Sequence, residues 1–155
     1  MRIDRLELKL PPPLVAGLAA AFMYGLYRLS PAWTWPFPYR LPIGIALLGI
    51  GGCLIVAAIY TLRRSHTTLS PTSPADTSHI VDSGIYRVSR NPIYLGALAL
   101  LTALALYLSH PLALAVLPVF VLYITRFQII PEERILLEKF GDEYARYLRT
   151  VRRWL

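Results

Sequence analysis

Cysteine is almost missing from this chain of 155 residues: Cys53 is the single one, and it sits within an apolar run. One thiol closes no internal disulfide and builds no cysteine metal cluster, so neither kind of staple bounds the fold, and no metal site is expected. Charge is also scarce. Charged residues make up 16% against 55% hydrophobic, and mean hydropathy is positive, a balance that excludes an ordinary soluble domain and leaves an integral membrane protein of one compact unit. Acidic residues number nine against sixteen Lys and Arg, giving a formal net charge of +7. That excess does not call for nucleic acid, because the basic residues flank apolar runs instead of gathering on a separate polar domain. The run Gly49-Ile50-Gly51-Gly52 has no strand before it and no Lys-Ser/Thr after it, so it makes no phosphate loop, and glycines in an apolar helix serve close helix packing. No repeat of solenoid period is present.

What remains is a series of apolar runs divided by polar or proline-rich stretches. Pro12 to Leu29 is apolar apart from Arg28, and Pro11, Pro12 and Pro13 suit a helix start, where a missing N–H costs little. At about 1.5 Å per residue this run nearly matches a hydrocarbon core of about 30 Å, and no small-residue cleavage site follows it, so it reads as a retained anchor. Ser30 to Arg40 mixes Pro31, Pro36 and Pro38 with Trp33, Trp35, Phe37 and Tyr39, the composition of an interfacial loop at headgroup level. Leu41 to Leu62 is a second span. Arg63 to Ser83 reads as a polar loop whose end, from Thr77, regains apolar character and suits a lid over a ligand. Ile93 to Tyr123 is interrupted by Ser109-His110-Pro111, which predicts two helices in a hairpin with His110 as a turn residue on the far side. Pro131 opens a last segment in which Leu136, Phe140, Tyr144, Tyr147, Leu148 and Val151 recur at helical spacing, an amphipathic helix or pair with Gly141 as the candidate break.

The expected fold is therefore all-α: a polytopic membrane helical bundle with a helical hairpin and a C-terminal amphipathic cytosolic helix. It forms a single domain over 1–155, with transmembrane helices at about 12–30, 41–62, 93–108 and 111–127 and a cytosolic cofactor region at 76–94 and 128–153. In that arrangement every Lys and Arg except Arg28 and Arg40 falls on one side, so the positive-inside rule puts both termini in the cytoplasm. A bacterial or archaeal inner membrane is the expected setting.

The chemistry-bearing stretch is Gly84-Ile85-Tyr86-Arg87-Val88-Ser89-Arg90-Asn91-Pro92-Ile93-Tyr94-Leu95-Gly96, where polar groups meet a long apolar run. Arg87 and Arg90 offer fixed positive charge, Tyr86 and Tyr94 aromatic faces with hydroxyls, and Asn91 both donor and acceptor. Some forty residues on, Glu132 and Glu133 offer carboxylates to hydroxyls or to an ammonium group. Such a set complements a cationic, ring-bearing ligand. Its plain structural reading is an interfacial belt of arginine and tyrosine, with acidic residues favoured at a helix start.

Gly84-Ile85-Tyr86, Arg90-Asn91-Pro92-Ile93-Tyr94-Leu95-Gly96, Glu132-Glu133-Arg134-Ile135-Leu136 and Phe140-Gly141-Asp142-Glu143-Tyr144 with Tyr147 occur in an order that resembles the isoprenylcysteine carboxyl methyltransferase family and its phospholipid methyltransferase relatives. The resemblance covers roughly Ser78 to Arg153. It implies S-adenosyl-L-methionine as methyl donor, held on the cytosolic side by Ser78, His79, Ile80 and Val81, by Tyr86, by Asn91, Pro92, Ile93 and Tyr94, and by Glu132 with Glu133 as its neighbour. Asn91 stands where the family usually has His, keeping hydrogen bonding and losing titration. The position of a substrate-side arginine in eukaryotic members falls at Gln128, with Arg126 close by as its substitute.

The implied activity is methyl transfer to a lipophilic or amphiphilic acceptor at the cytosolic membrane face. The partners are then a lipid or lipophilic small molecule and the membrane itself, with no nucleic acid. The acceptor atom and the oligomeric state stay open. Two rivals remain: a membrane-bound NADPH-dependent reductase of the related superfamily, and a non-catalytic membrane scaffold.

Overall fold

The computed structural model describes residues 7–65 and 79–155, and among them there are helices and turns but no strand. The order is α1 (Pro12–Leu29), α2 (Arg40–Arg64), α3 (Pro92–Leu108), α4 (Pro111–Ile124), α5 (Ile130–Phe140) and α6 (Asp142–Thr150). Short 3-10 turns occur at Pro31–Trp33 and Gly84–Arg87, and a π-helical turn spans Thr125–Ile129. Of the expected lid from Thr77, Thr77 and Ser78 lie outside the described residues, as does the polar loop before it at 66–76.

Proline sets the starts. α1, α3 and α4 each have Pro in the first turn, where no intrahelical donor is needed. α3 stops at Ser109, which turns into the left-handed region at φ 50, and His110 then runs extended into Pro111, which makes the predicted tight hairpin. His110 does more than turn the chain. It is fully buried, with Nε2 3.0 Å from Ser30 Oγ. Beside it the Trp35 N–H donates to the Ser109 carbonyl at 2.8 Å and Arg40 Nη1 to Ser109 Oγ at 3.2 Å, so the aromatic loop is fastened to the hairpin tip.

Helix α3 occupies the middle, packing against α1, α2 and α4. Its seam with α2 is a backbone contact: a Cβ on Gly51 would stand 2.8 Å from the Gly96 carbonyl oxygen, and one on Gly96 would stand 2.8 Å from that of Gly51. Of the glycine run, Gly51 does this packing, while Gly49 and Gly52 face open space. The apolar core joins Met23 of α1 to Leu101, Ala105 and Leu108 of α3 and to Val116, Phe120 and Ile124 of α4. Outward, α2 exposes Leu41, Ile45, Leu48, Ile50 and Val56, a face suited to lipid.

Among the described residues two helices are long and apolar enough to cross a membrane, α2 and the continuous helix from Pro111 to Phe140; α3 is apolar and shorter. α1, expected from its sequence to span as well, is not among them; Arg28 and its two leading prolines dilute its apolar character. The continuity at Pro131 differs from the expected new start. Pro131 has no N–H for the Phe127 carbonyl four residues back, and that carbonyl instead accepts the Leu8 N–H at 3.0 Å. The helix thus passes through the proline by widening into the π-helical turn, in which the Ile130 N–H reaches the Thr125 carbonyl. Apart from Arg126 in the π turn, the charged residues of that helix, Glu132, Glu133, Arg134, Glu138 and Lys139, follow Pro131, so α5 lies beyond the apolar limb. Gly141, at φ 52 and ψ −124, breaks α5 from α6 as predicted, in a conformation that side chains rarely allow.

Candidate functional site

Three elements meet at the end of the bundle that carries the basic residues: the first turn of α3, the π turn with α5, and α6. Tyr94 projects from the start of α3 and its hydroxyl donates to Glu132 Oε1 at 2.7 Å. From the π turn, Gln128 Nε2 donates to the same oxygen at 2.7 Å. Gln128 and Glu132 are four residues apart on one helix, which brings their side chains together. Tyr94 and Gln128 are buried, at 6% and 3% exposure. Burial pushes the Glu132 carboxyl up to about 7, against the opposing pull of the Tyr94 and Gln128 hydrogen bonds.

Tyrosines surround this carboxylate. Tyr86 lies on the 3-10 turn before α3, and its carbonyl accepts the Tyr147 hydroxyl at 2.7 Å, joining that turn to α6. Tyr144 and Tyr147, three residues apart on the buried face of α6, have ring centroids 5.9 Å apart. Burial raises the hydroxyl pKa of Tyr86, Tyr144 and Tyr147, so all three are neutral rings with donor hydroxyls. Neutral tyrosines about an acid that ionises near neutral pH form a setting for a cation.

Glu133, one residue on, has different partners. Arg153 grips it through two bonds, Nε to Oε1 at 3.1 Å and Nη2 to Oε2 at 2.6 Å, and Arg90 Nη2 reaches Oε1 at 3.1 Å. Asn91 also serves this lock, since its amide donates to the Arg153 carbonyl at 3.0 Å and its backbone N–H to Ser89 Oγ at 3.1 Å. Arg90 adds its N–H to the Arg152 carbonyl at 3.0 Å. The expected residues therefore divide. Tyr86, Tyr94, Gln128 and Glu132 gather about one point, Gln128 on the Glu132 side and not apart from it. Asn91 and Glu133 hold the chain after α6 in place. Pro92 begins α3, and Ile93 packs against the apolar core. Ahead of the 3-10 turn, His79 is exposed and Ile80 and Val81 half-buried.

Arg126, expected on the substrate side, pairs through Nη1 with Glu7 Oε1, and Arg134 Nη1 reaches the other oxygen of Glu7 at 3.4 Å. Sequence reasoning gave Arg153, Tyr144 and Tyr147 no place among the candidate site residues. Tyr144 and Tyr147 carried a signal in their three-residue spacing on an otherwise charged helix; Arg153 carried none.

A family model described as phospholipid methyltransferase matches residues 39–143. Protein-S-isoprenylcysteine O-methyltransferase of Mus musculus is 29% identical over 108 residues, covering 70% of this chain and 38% of the mouse protein. Protein-S-isoprenylcysteine O-methyltransferase A of Arabidopsis thaliana is 30% identical over 108 residues, covering 70% of this chain and 55% of the plant protein. An uncharacterized protein of Haemophilus influenzae is 49% identical over 63 residues, which is 41% of this chain and 100% of that relative. The chain thus spans about half or less of the two methyltransferases. No solved structure matches. With the family model matching about two thirds of the chain, from just before α2 to the start of α6 and so over Tyr86, Tyr94, Gln128 and Glu132, the chain belongs to the phospholipid methyltransferase family.

Proposed function

We propose that the protein is an S-adenosyl-L-methionine-dependent methyltransferase acting on a lipophilic or amphiphilic acceptor at the cytosolic face of a membrane, as a multi-pass protein with both termini cytoplasmic. One observation carries this reading: the Glu132 carboxylate, half-buried and fixed by Tyr94 and Gln128, lies among tyrosines at the junction of an apolar helix pair and a polar cap. The donor set fits the cofactor, which presents a cationic amino acid part and an aromatic base. Glu132 would hold the positive end, with Tyr86 and Tyr94 beside it, and the family resemblance would add Ser78, His79, Ile80 and Val81 from the segment before Tyr86. When bound, the cofactor supplies an electrophilic methyl group on a sulfonium.

The chain's own contribution is positioning and exclusion of water. Glu132 is an anion above about pH 7 and pairs with a cation most strongly there. Tyr94 and Gln128 fix its orientation, and the Glu133–Arg153–Arg90 lock holds α6 over the site. A carboxylate acceptor is already ionised and needs no general base. Gln128 works on the donor side in this reading, so it does not grip the acceptor, and the acceptor's tail lies in lipid beside α3 and α4.

Binding of methyl-labelled S-adenosyl-L-methionine to the purified protein, followed by incubation with fractionated host membrane lipids, tests the proposal. The expected result is saturable binding and label in the lipid fraction. Binding of NADPH in place of the methyl donor, or label on water-soluble molecules alone, would overturn it.

A further inference from the structure

A segment before α1 touches the helix that carries the candidate carboxylate, and the contacts fall on the π turn and the turns beside it. The Leu8 N–H donates to the Phe127 carbonyl at 3.0 Å, the carbonyl that Pro131 leaves without its usual donor. Glu7, 12% exposed, bridges Arg126 inside the π turn and Arg134 in α5. Leu8 takes a φ of 58, a left-handed conformation that a leucine adopts only when its surroundings hold it. Three contacts and one unfavourable backbone conformation are thus spent on one turn of helix.

The π turn matters to the site through geometry. One extra residue in a helical turn rotates everything after it by about 100° relative to a regular α-helix. Upstream, Phe120 and Ile124 of α4 face the core with α1 and α3. Downstream, Glu132 faces Tyr94 of α3. Both faces meet α3 together because the π turn shifts the register between them. If the turn relaxed to α-helical bonding, Glu132 would swing away from Tyr94 while α4 stayed seated.

We propose that Glu7 and Leu8 form a strap that locks the π turn and thereby positions Glu132, making Glu7 a positioning residue for the site although it stands more than a hundred residues before Glu132. Arg126 acts here as the anchor of the strap. The functional consequence rests on the methyl-donor reading above.

The test uses the full-length protein in lipid nanodiscs, with Cys53→Ser as background. Glu7→Ala and the milder Glu7→Gln are compared by hydrogen exchange without ligand and by binding of S-adenosyl-L-methionine. Faster exchange at the Leu8 and Ile130 amides is expected, with binding weakened roughly tenfold for Glu7→Ala. Exchange elsewhere in α1 to α3 should be unchanged. A double variant, Glu7→Cys with Arg126→Cys, removes the ion pair and is then joined by a short bis-maleimide; the tether should restore both slow exchange at Ile130 and affinity, which a general loss of stability would not do. Wild-type exchange rates at Ile130 in both Glu7 variants would overturn the strap whatever the ligand. Altered exchange with unaltered binding would overturn its role in the site. Failure of the wild type to bind the methyl donor would overturn the functional reading instead, and the exchange results would still decide the strap.

Discussion

Tyr94→Phe removes one oxygen atom from the candidate site and leaves the ring that fills the first turn of α3. The lost bond is the 2.7 Å donation to Glu132 Oε1, and the same oxygen keeps its 2.7 Å bond from Gln128. A hydrogen bond to a charged group contributes about 1.5–3 kcal/mol. With one of two donors kept, the lower end applies, a weakening of about tenfold in the dissociation constant of S-adenosyl-L-methionine. The pH dependence has a definite sign. Burial pushes Glu132 up to about 7, and the Tyr94 bond is one of the influences holding it down, so Tyr94→Phe moves its ionisation higher. A cation binds the ionised form, so affinity is full above the carboxyl pKa and is lost as pH falls through it. The deficit of the variant should therefore widen between about pH 9 and about pH 6, with the wild-type midpoint near the Glu132 value. Isothermal titration across that range reads both quantities. Equal affinity and equal midpoints in wild type and variant would show that Glu132 does not face the ligand's charge.

Four further outcomes are expected. Gly96→Ala puts a Cβ 2.6 Å from Ile55 Cγ1 and 2.8 Å from the Gly51 carbonyl oxygen, so it should destabilise the bundle by about 1–3 kcal/mol in reversible unfolding from micelles. Gly52→Ala, with open space at its Cβ, should change stability by less than about 0.5 kcal/mol. Glu133→Gln leaves Arg90, 9% exposed, without its carboxylate partner, and should cost roughly 2–3 kcal/mol, less than a fully buried pair because Arg153 is 37% exposed; protease cleavage within α6 would report it. Trp35→Cys in a Cys53→Ser background should react with impermeant maleimide only from the face opposite the basic residues, because Trp35 is exposed beside the hairpin tip whereas His110 is buried; labelling from the basic side would refute the proposed orientation.

The helices were legible because their determinants are local. Proline fixes where α1, α3 and α4 begin, apolar runs fix their lengths, and Gly141 supplies a backbone conformation that other residues avoid. The π turn was not legible, since it depends on the Leu8 N–H meeting a carbonyl more than a hundred residues away, and Pro131 by itself reads as a helix start. At the site, Tyr94 and Glu132 were legible as candidates, through polar groups set against apolar runs and through the family resemblance, but not as partners of each other. Neighbours were harder to separate. Glu132 and Glu133 differ by about 100° around the helix, and which one enters the site is decided by Arg90 and Arg153, whose approach is tertiary. The partner of Asn91 was hidden by the same cause: its amide donates to the Arg153 carbonyl, which no local pattern announces.

The bonds from Ser89, Arg90 and Asn91 to the backbone of Leu148, Arg152 and Arg153 span roughly sixty positions in the chain. Synthesis is sequential, so α3 and the 3-10 turn before it are made, and available for insertion, well before their partners exist. Ser89, Arg90 and Asn91 must therefore wait, without these partners, until Arg153 has been added and folded back. A messenger cut short after Phe140 would still encode the apolar helices, and its product would lack the closing wall of the candidate site. Insertion and completion of that site thus depend on different parts of the chain, and a quality check that reads only insertion would pass the incomplete one.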